Sequence, residues 1–145
     1  MYTYEHPRAA HTVDIVFIKK SPGSHQILLI QRAKEPYQGK FALPGGFVDQ
    51  NENTKSAAIR ELEEETGIRN VDLIQIHTFS DPGRDPRGWV ISTAYGAILD
   101  EKVELFILAG SDASQAAWFD LADLPSLAFD HQQIIETALS IFDLV

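Results

Sequence analysis

The sequence contains no cysteine, a single methionine and no hydrophobic stretch as long as a membrane-spanning helix. Without cysteine there can be no disulfide bond, thiol nucleophile or cysteine-ligated zinc, and this composition is compatible with a reducing, cytoplasmic location. A membrane span needs about 20 consecutive apolar residues, and the polar start from Met1 to His11 lacks the apolar region of a signal peptide. These absences predict a soluble cytoplasmic protein with no membrane partner.

Positive charge is also scarce, because 12 Lys and Arg stand against 21 Asp and Glu, which gives a net charge of −9 at pH 7. No Lys or Arg follows Lys102. Binding to a nucleic acid backbone needs clustered basic residues, so we expect no nucleic acid polymer as a partner. The length of 145 residues, with 44% hydrophobic and 23% charged residues, predicts one globular domain over residues 1–145.

Apolar runs separated by Gly, Pro and Ser predict strands before, between and after two helices. The predicted strands cover 13–18, 27–30, 41–43, 71–79, 89–99 and 117–120. The predicted helices cover 53–66 and 129–142, and segment 100–116 fits no element clearly. Two adjacent glycines, Gly45 and Gly46, allow positive φ angles and a close approach of the backbone to a ligand. This order favours an α/β fold with a mixed sheet and helices packed on it.

Three glutamates lie on one face of the first predicted helix. Glu61, Glu64 and Glu65 are spaced i, i+3 and i+4, so their like charges repel unless they are solvated or hold cations. Carboxylate oxygens suit Mg²⁺ or Mn²⁺. The alternative is an ordinary acidic surface helix. On either interpretation, Ile59 and Leu62 serve only to pack the helix on the sheet.

The residues around this helix follow a longer pattern. From Gly46 to Ile68 they read G-x5-E-x7-R-E-U-x-E-E-x-G-U, where U is an aliphatic residue. This pattern resembles the signature of the Nudix hydrolases at every fixed position. The resemblance implies an α/β/α sandwich with a mixed sheet, in which the signature forms a loop-helix-loop. It also implies hydrolysis of a nucleoside diphosphate linked to another group, with Mg²⁺ or Mn²⁺ as cofactor.

The resemblance assigns roles within the signature. Glu61 and Glu65 are implied as the leading metal ligands, and Glu64 as a further ligand or as the partner of Arg60. The backbone carbonyl of Gly45 is a further candidate ligand. Arg60, Glu61 and Glu64 thereby become candidate catalytic residues. Divalent ions would neutralise the phosphate oxygens and activate water for attack.

Carboxylates outside the helix have two further expected roles. Glu52 is expected to form an ion pair that orients the loop, with Arg60 as a candidate partner. Enzymes similar to this chain often draw a catalytic carboxylate from outside the signature, and Asp112 is our choice, with Glu101 and Glu104 as rivals. The alternative for Asp112 is an exposed turn residue.

Four segments outside the signature resemble the ADP-ribose pyrophosphatase branch of the family: 30–32, 35–40, 78–92 and 127–131. The resemblance implies a small nucleotide substrate, foremost ADP-ribose, cleaved to AMP and ribose 5-phosphate. Another nucleotide sugar, a dinucleotide or an oxidised nucleotide are alternatives, as is a sensor that binds such a ligand without turnover. Sensors of this branch usually carry an added winged helix, which we do not expect here. A homodimer is compatible with the resemblance.

Candidate substrate-binding residues are cationic or aromatic. Arginine offers planar donors to phosphates, and aromatic rings can stack on a base. Arg84 and Arg87 could instead pair with Asp81 and Asp85, and Phe79 and Trp89 could pack in the core. His131 is expected to be structural or at the surface. The candidates are Arg32, Tyr37, Lys40, Phe79, Arg84, Arg87 and Trp89.

Overall fold

The computed structural model describes residues 1–100 and 113–144, which form seven strands and two helices. The elements are β1 (Ala10–Lys20), β2 (Gln26–Arg32), β3 (Phe41–Ala42), β4 (Gly45–Phe47), α1 (Thr54–Thr66), β5 (Ile74–Phe79), β6 (Val90–Asp100), β7 (Ala113–Asp120) and α2 (His131–Ile141). Neither helix of the described ranges is long and apolar enough to cross a membrane. Asp112, Glu101 and Glu104 lie outside the described residues.

Strand β1 is the centre of a mixed sheet with the order β3-β2-β1-β6-β5. It runs parallel to β6 along its whole length, from Ala10↔Val90 to Lys20↔Asp100, whereas its pairings with β2 and β4 are antiparallel. Residues 12–18 are all buried. A continuous buried run is typical of a strand that is covered on both faces.

The two faces of β1 belong to two separate hydrophobic layers. Val13, Ile15 and Phe17 pack with residues of α1, including Ala58 and Leu62. The alternate residues Val16 and Ile18 pack with residues of α2, including Ile134, Ile135 and Ala138. Because successive side chains of a strand point to opposite faces, one strand supports both layers. The predicted α/β/α sandwich with a mixed sheet is therefore confirmed.

The first helix has the predicted ends. The Asn53 side chain accepts a hydrogen bond of 2.8 Å from the Ser56 N–H, and Gly67 ends the helix with a φ of 78°. Such an N-cap stabilises a helix by about 1 kcal/mol. Leu62 packs on the sheet as predicted. The prediction for Ile59 is wrong: its position on the helix, about 100° from that of Ala58, leaves it 40% exposed.

The sheet divides between β1 and β2. The two strands pair only at Ile18↔Ile27 and Lys19↔Gln26. Farther on, β3 pairs with β2 and β4 pairs with β1, so the chain between Ala42 and Gly45 passes from one strand to the other. Gly45 and Gly46 do not use the positive φ angles open to them, since they lie in strand β4 and pair with Asp14 and Val13.

Candidate active site

A cavity of about 440 Å³ is lined by β1, β2, β4, α1, the segment after β5 and the start of α2. Most predicted site residues line it, and they come from distant parts of the sequence. Those that do are Arg32, Gly45, Arg60, Glu61, Glu64, Glu65, Arg84 and Arg87. Its volume falls within the range of about 300–1,000 Å³ that is usual for small-molecule sites.

The acidic side of the cavity, formed by Glu61, Glu64 and Glu65, depends on the two glycines of β4. Glu61 and Glu65 are only 9% and 4% exposed. A Cβ atom at Gly46 would lie 2.5 Å from Glu61 Oε1, so no other residue fits there without displacing the carboxylate. The Gly45 N–H donates a hydrogen bond of 2.6 Å to Glu65 Oε1. The predicted close approach of the glycine backbone is thus to carboxylates of the protein itself.

Arg60 links the acidic side to the loop that precedes α1. Its Nε and Nη2 atoms donate to Glu52 Oε2 at 2.7 Å and Oε1 at 2.9 Å, which confirms the predicted ion pair. Its Nη1 atom donates to Glu61 at 2.8 Å and to Glu64 at 3.2 Å. Hydrogen bonds from Arg60 and from the Asp49 backbone lower the pKa of Glu52 to about 2. The bonds with Glu52 in turn raise the pKa of Arg60.

The donor chemistry of the acidic side fits a divalent cation, since carboxylate oxygens are the ligands that Mg²⁺ and Mn²⁺ prefer. Within residues 1–100 and 113–144, however, no three His, Asp or Glu side chains converge on one point. Gly45 contacts Glu65 through its N–H, and a role for its carbonyl stays a prediction. The side chains able to hold a metal are therefore Glu61 and Glu65, with Glu64 more exposed.

The basic side of the cavity consists of Arg32, Arg84 and Arg87. Arg84 is buried and donates from Nε to Asp130 Oδ2 at 2.8 Å and from Nη2 to Oδ1 at 2.6 Å. Burial would lower the pKa of Arg84, but the bonds to Asp130 outweigh it and the pKa is raised. These contacts agree with the alternative for Arg84, which is that it braces the protein internally. Its partner is Asp130 and not the expected Asp81 or Asp85.

Arg87 pairs with Asp85, as its alternative predicted. The Arg87 Nη2 atom lies 2.7 Å from Asp85 Oδ2, and its guanidinium also covers the rings of Phe47 at 4.7 Å and Phe129 at 5.1 Å. Burial would raise the pKa of Asp85, but the hydrogen bonds from Arg87 hold it below its ordinary value. Arg87 is thus braced at one edge while still lining the cavity.

Arg32 lines the cavity and contacts the same Phe129 ring as Arg87. Its guanidinium lies 5.0 Å from the centre of the Phe129 ring, and its Nε atom donates to the Pro36 carbonyl at 2.7 Å. Burial lowers the pKa of Arg32, and the charge of Arg87 lowers it further. Two guanidinium groups that share one ring beside a cavity favour the binding of an anion between or near them.

The predicted aromatic residues do not line the cavity. Phe79 packs with α2, so core packing is correct for it. Trp89 is 57% exposed, which agrees with neither stacking nor core packing, and Tyr37 packs edge-on against Phe129 at 4.9 Å. The rings that line the cavity are Phe47 and Phe129. Neither Phe47 nor Phe129 was a candidate, because no local signal in the sequence separates these residues from core rings.

Asp14 and His131, which also line the cavity, belong to a buried polar cluster that was not predicted from the sequence. His131 Nε2 is 3.3 Å from Asp14 Oδ1, and Ser92 Oγ donates to Asp14 Oδ2 at 2.5 Å. His131 Nδ1 accepts a hydrogen bond of 3.0 Å from the Leu43 N–H. Burial would raise the pKa of Asp14, but the contacts with His131 and Ser92 outweigh it and lower the pKa. His131 is therefore buried and linked directly to Asp14 of β1 and to Leu43, which agrees with the expected structural role and not with a place at the surface.

Comparison with known proteins agrees with this architecture. The family model described as NUDIX domain matches residues 9–138. The ADP-ribose pyrophosphatase of Methanocaldococcus jannaschii is 45% identical over 133 residues, which cover 92% of this chain and 73% of that protein. The ADPR responsive transcriptional repressor NtrR of Acinetobacter baylyi is 36% identical over 138 residues, which cover 94% of this chain and 55% of the repressor. The chain thus spans about half the length of that repressor.

A solved structure shows the same fold. The NUDIX domain of Shewanella oneidensis NrtR, in a cocrystal with ADP ribose, matches with a TM-score of 0.86 and 31% identity, covering 94% of this chain and 90% of that one. The family model covers most of the sequence, and the signature from Gly46 to Ile68 forms β4, the following loop and α1. The chain belongs to the Nudix family.

Proposed function

We propose that the chain is a metal-dependent hydrolase that cleaves the diphosphate of ADP-ribose, or of a closely similar nucleoside diphosphate derivative. One observation supports this most strongly. Two buried carboxylates, Glu61 and Glu65, line the same cavity as two neighbouring guanidinium groups, those of Arg32 and Arg87. A diphosphate is negatively charged, so it can bind arginines directly and can bind carboxylates only through cations that lie between them.

The proposed reaction uses one water molecule for each substrate. The water oxygen bonds to one phosphorus atom while the bridging P–O bond breaks, and the products from ADP-ribose are AMP and ribose 5-phosphate. A bound Mg²⁺ or Mn²⁺ would supply charge neutralisation and an activated water. Glu61, Glu65 and Glu64 would hold the cation, and Arg32 and Arg87 would bind the phosphates. Arg60 would orient Glu61 and Glu64.

The choice of ADP-ribose rests on similarity. The relative from Methanocaldococcus jannaschii is named an ADP-ribose pyrophosphatase, and the NUDIX domain from Shewanella oneidensis was crystallised with ADP ribose. Another nucleotide sugar, a dinucleotide or an oxidised nucleotide remain alternatives for the same chemistry. The proposal also includes Asp112 as a catalytic carboxylate, a carbonyl ligand at Gly45, a homodimer, a cytoplasmic location and no nucleic acid polymer as partner.

A second candidate function is a sensor that binds ADP-ribose without hydrolysing it. The similarity to the repressor of Acinetobacter baylyi supports this alternative. The acidic side weighs against it, because a binding site for an anion has no need of three glutamates on one helix face. The arrangement of Arg60, Glu61, Glu64 and Glu65 supports catalysis instead.

A substrate panel tests the proposal. The protein is incubated with Mg²⁺ or Mn²⁺ and with ADP-ribose, other nucleotide sugars, dinucleotides or oxidised nucleotides, and phosphate is measured after the addition of a phosphatase. We expect ADP-ribose to be among the best substrates and EDTA to abolish turnover. Binding of ADP-ribose in calorimetry without turnover would support the sensor. Turnover that excludes ADP-ribose would overturn the proposed substrate but leave the hydrolase.

A further inference from the structure

The segment from Leu43 to Gly45 contacts the acidic side through its backbone. Each of its three residues makes a backbone hydrogen bond to another part of the protein. The Leu43 N–H donates to His131 Nδ1 at 3.0 Å, and the Pro44 carbonyl accepts from the Ile15 N–H at 2.8 Å. The Gly45 N–H then donates to Glu65 Oε1 at 2.6 Å. Leu43, which contacts His131, is therefore only two residues from Gly45, which contacts Glu65.

The hydrogen bond at Leu43 decides the tautomer of His131. Because Nδ1 accepts the Leu43 N–H, the ring proton lies on Nε2, and Nε2 faces Asp14 Oδ1 at 3.3 Å. The imidazole thus has one contact on each nitrogen, and its plane is set by groups on both sides. His131 comes from the first turn of α2, 88 residues from Leu43.

Asp14 supports the imidazole and also packs against the glycine backbone. Its second carboxylate oxygen accepts a hydrogen bond from Ser92 Oγ. A Cβ atom at Gly45 would lie 2.8 Å from Asp14 Oδ1, which shows how close this carboxylate lies to the Gly45 backbone. A buried carboxylate is tolerated only when its oxygens are paired, and the pairing here also places Asp14 between His131 and Gly45.

We propose that His131 and Asp14 are positioning residues that hold Leu43–Gly45 in the place where the Gly45 N–H orients Glu65. Both side chains also line the cavity, but the role proposed for them acts through the backbone of Leu43–Gly45 and needs no contact with a reacting atom. This inference rests on the proposed function, because Glu65 is the proposed metal ligand. It extends to this chain the general rule that groups behind the ligands set the orientation of the ligands.

Two substitutions of His131 separate its two contacts. In His131→Asn, the side-chain oxygen can take the place of Nδ1 and accept the Leu43 N–H, while the contact with Asp14 is lost. In His131→Gln, the side-chain nitrogen can take the place of Nε2 and donate to Asp14, while the contact with Leu43 is lost. The exposed His77 offers a matched control, His77→Gln.

The amide hydrogen exchange of Leu43 and Gly45 is measured by NMR, together with Mn²⁺ binding and hydrolysis. We expect His131→Gln to exchange faster at both amides, to bind Mn²⁺ more weakly and to lower kcat by about 10-fold to 100-fold, with KM within about twofold. His131→Asn keeps an acceptor for the Leu43 N–H but lacks the support of Asp14, so its exchange rates and kcat should lie between those of the wild type and those of His131→Gln. His77→Gln should match the wild type.

Wild-type amide exchange and Mn²⁺ affinity in a folded His131→Gln variant would overturn the proposal. So would equal losses in the Asn and Gln variants, because a purely structural histidine would not distinguish them. If His131→Gln does not fold, the milder Ser92→Ala removes one bond to Asp14 and should speed exchange at Leu43; unchanged exchange would overturn the role of Asp14. If the wild type hydrolyses no nucleotide, the proposed function fails, while amide exchange and Mn²⁺ binding still test the positioning.

Discussion

The acidic and basic sides of the cavity are built in different ways. The acidic side comes from one continuous stretch, in which β4 and α1 bring Gly46, Glu61 and Glu65 together. The basic side combines β2, the 84–87 segment and the start of α2. Helical spacing alone aligns the carboxylates, whereas the arginines meet only after the sheet has formed. The carboxylates of this site are thus placed by local structure, and its arginines by tertiary structure.

The two sides also balance their charges differently. On the acidic side, Arg60 lies within 3.2 Å of Glu52, Glu61 and Glu64, so carboxylates outnumber arginines. On the basic side, Arg84 and Arg87 each pair with their own aspartate. The acidic side therefore has excess negative charge for a cation to neutralise, whereas the positive charges of Arg84 and Arg87 are already balanced by aspartates. Substitutions on the two sides should differ accordingly.

The largest effect is expected from Glu65→Gln on the acidic side. Loss of this carboxylate should lower kcat by about 10²-fold to 10³-fold, because charge that stabilises the transition state is removed, while the protein stays folded. Steady-state hydrolysis with Mg²⁺ and circular dichroism measure both. The control is Glu63→Gln on the same helix, where Glu63 pairs with Arg69 at 2.8 Å. Turnover near the wild-type value in Glu65→Gln would contradict the metal-ligand role.

An intermediate effect should separate the two paired arginines of the basic side. Arg84→Ala leaves Asp130 without its bidentate partner and should lower the free energy of unfolding by about 1–3 kcal/mol, with a smaller change in KM. Arg87→Ala should raise KM about 10-fold, and it should also lower the free energy of unfolding because its partner Asp85 is only 2% exposed. Denaturant unfolding and KM are compared for both, with Arg69→Ala as the control. A larger KM effect in Arg84→Ala would mean that Arg84 binds substrate directly.

The smallest effect concerns the pH dependence of stability at Glu52. The pKa of Glu52 is lowered from 4.5 to about 2 by its hydrogen bonds, first those from Arg60. Its contribution is therefore fully present above pH 4.5 and is lost as the pH falls through about 2. The difference in unfolding free energy between wild type and Glu52→Gln should shrink over this window. The exposed Glu136→Gln is the control, and a constant difference across the window would contradict the lowered pKa.

Patterns short enough to lie within one element could be predicted from the sequence. The ends of α1 and its carboxylate face follow from local spacing, the Glu52–Arg60 pair follows from the family resemblance, and the structure has all of them. Strand β4 could not be predicted, because two glycines have low strand propensity. It forms only because β1 diverges from β2 and offers its edge.

Contacts between distant residues could not be predicted either. Asp130 is 46 residues from Arg84, so the nearer Asp81 and Asp85 looked like better partners. The two rings of the cavity, Phe47 and Phe129, resemble core residues in the sequence, and Phe79 was expected where they lie. Aromatic residues carry no local signal that separates a core ring from a cavity ring.

Turn residues, alternation and helical spacing act over a few residues, so the fold class, the family resemblance and the chemistry of α1 could be predicted from the sequence. The basic side, the identity of the cavity rings and the buried Asp14–His131 cluster exist only in the folded chain. These arise where β1 and β2 separate and α2 docks on the sheet. The physical reason is that burial and pairing of charges depend on neighbours that only the folded chain brings together.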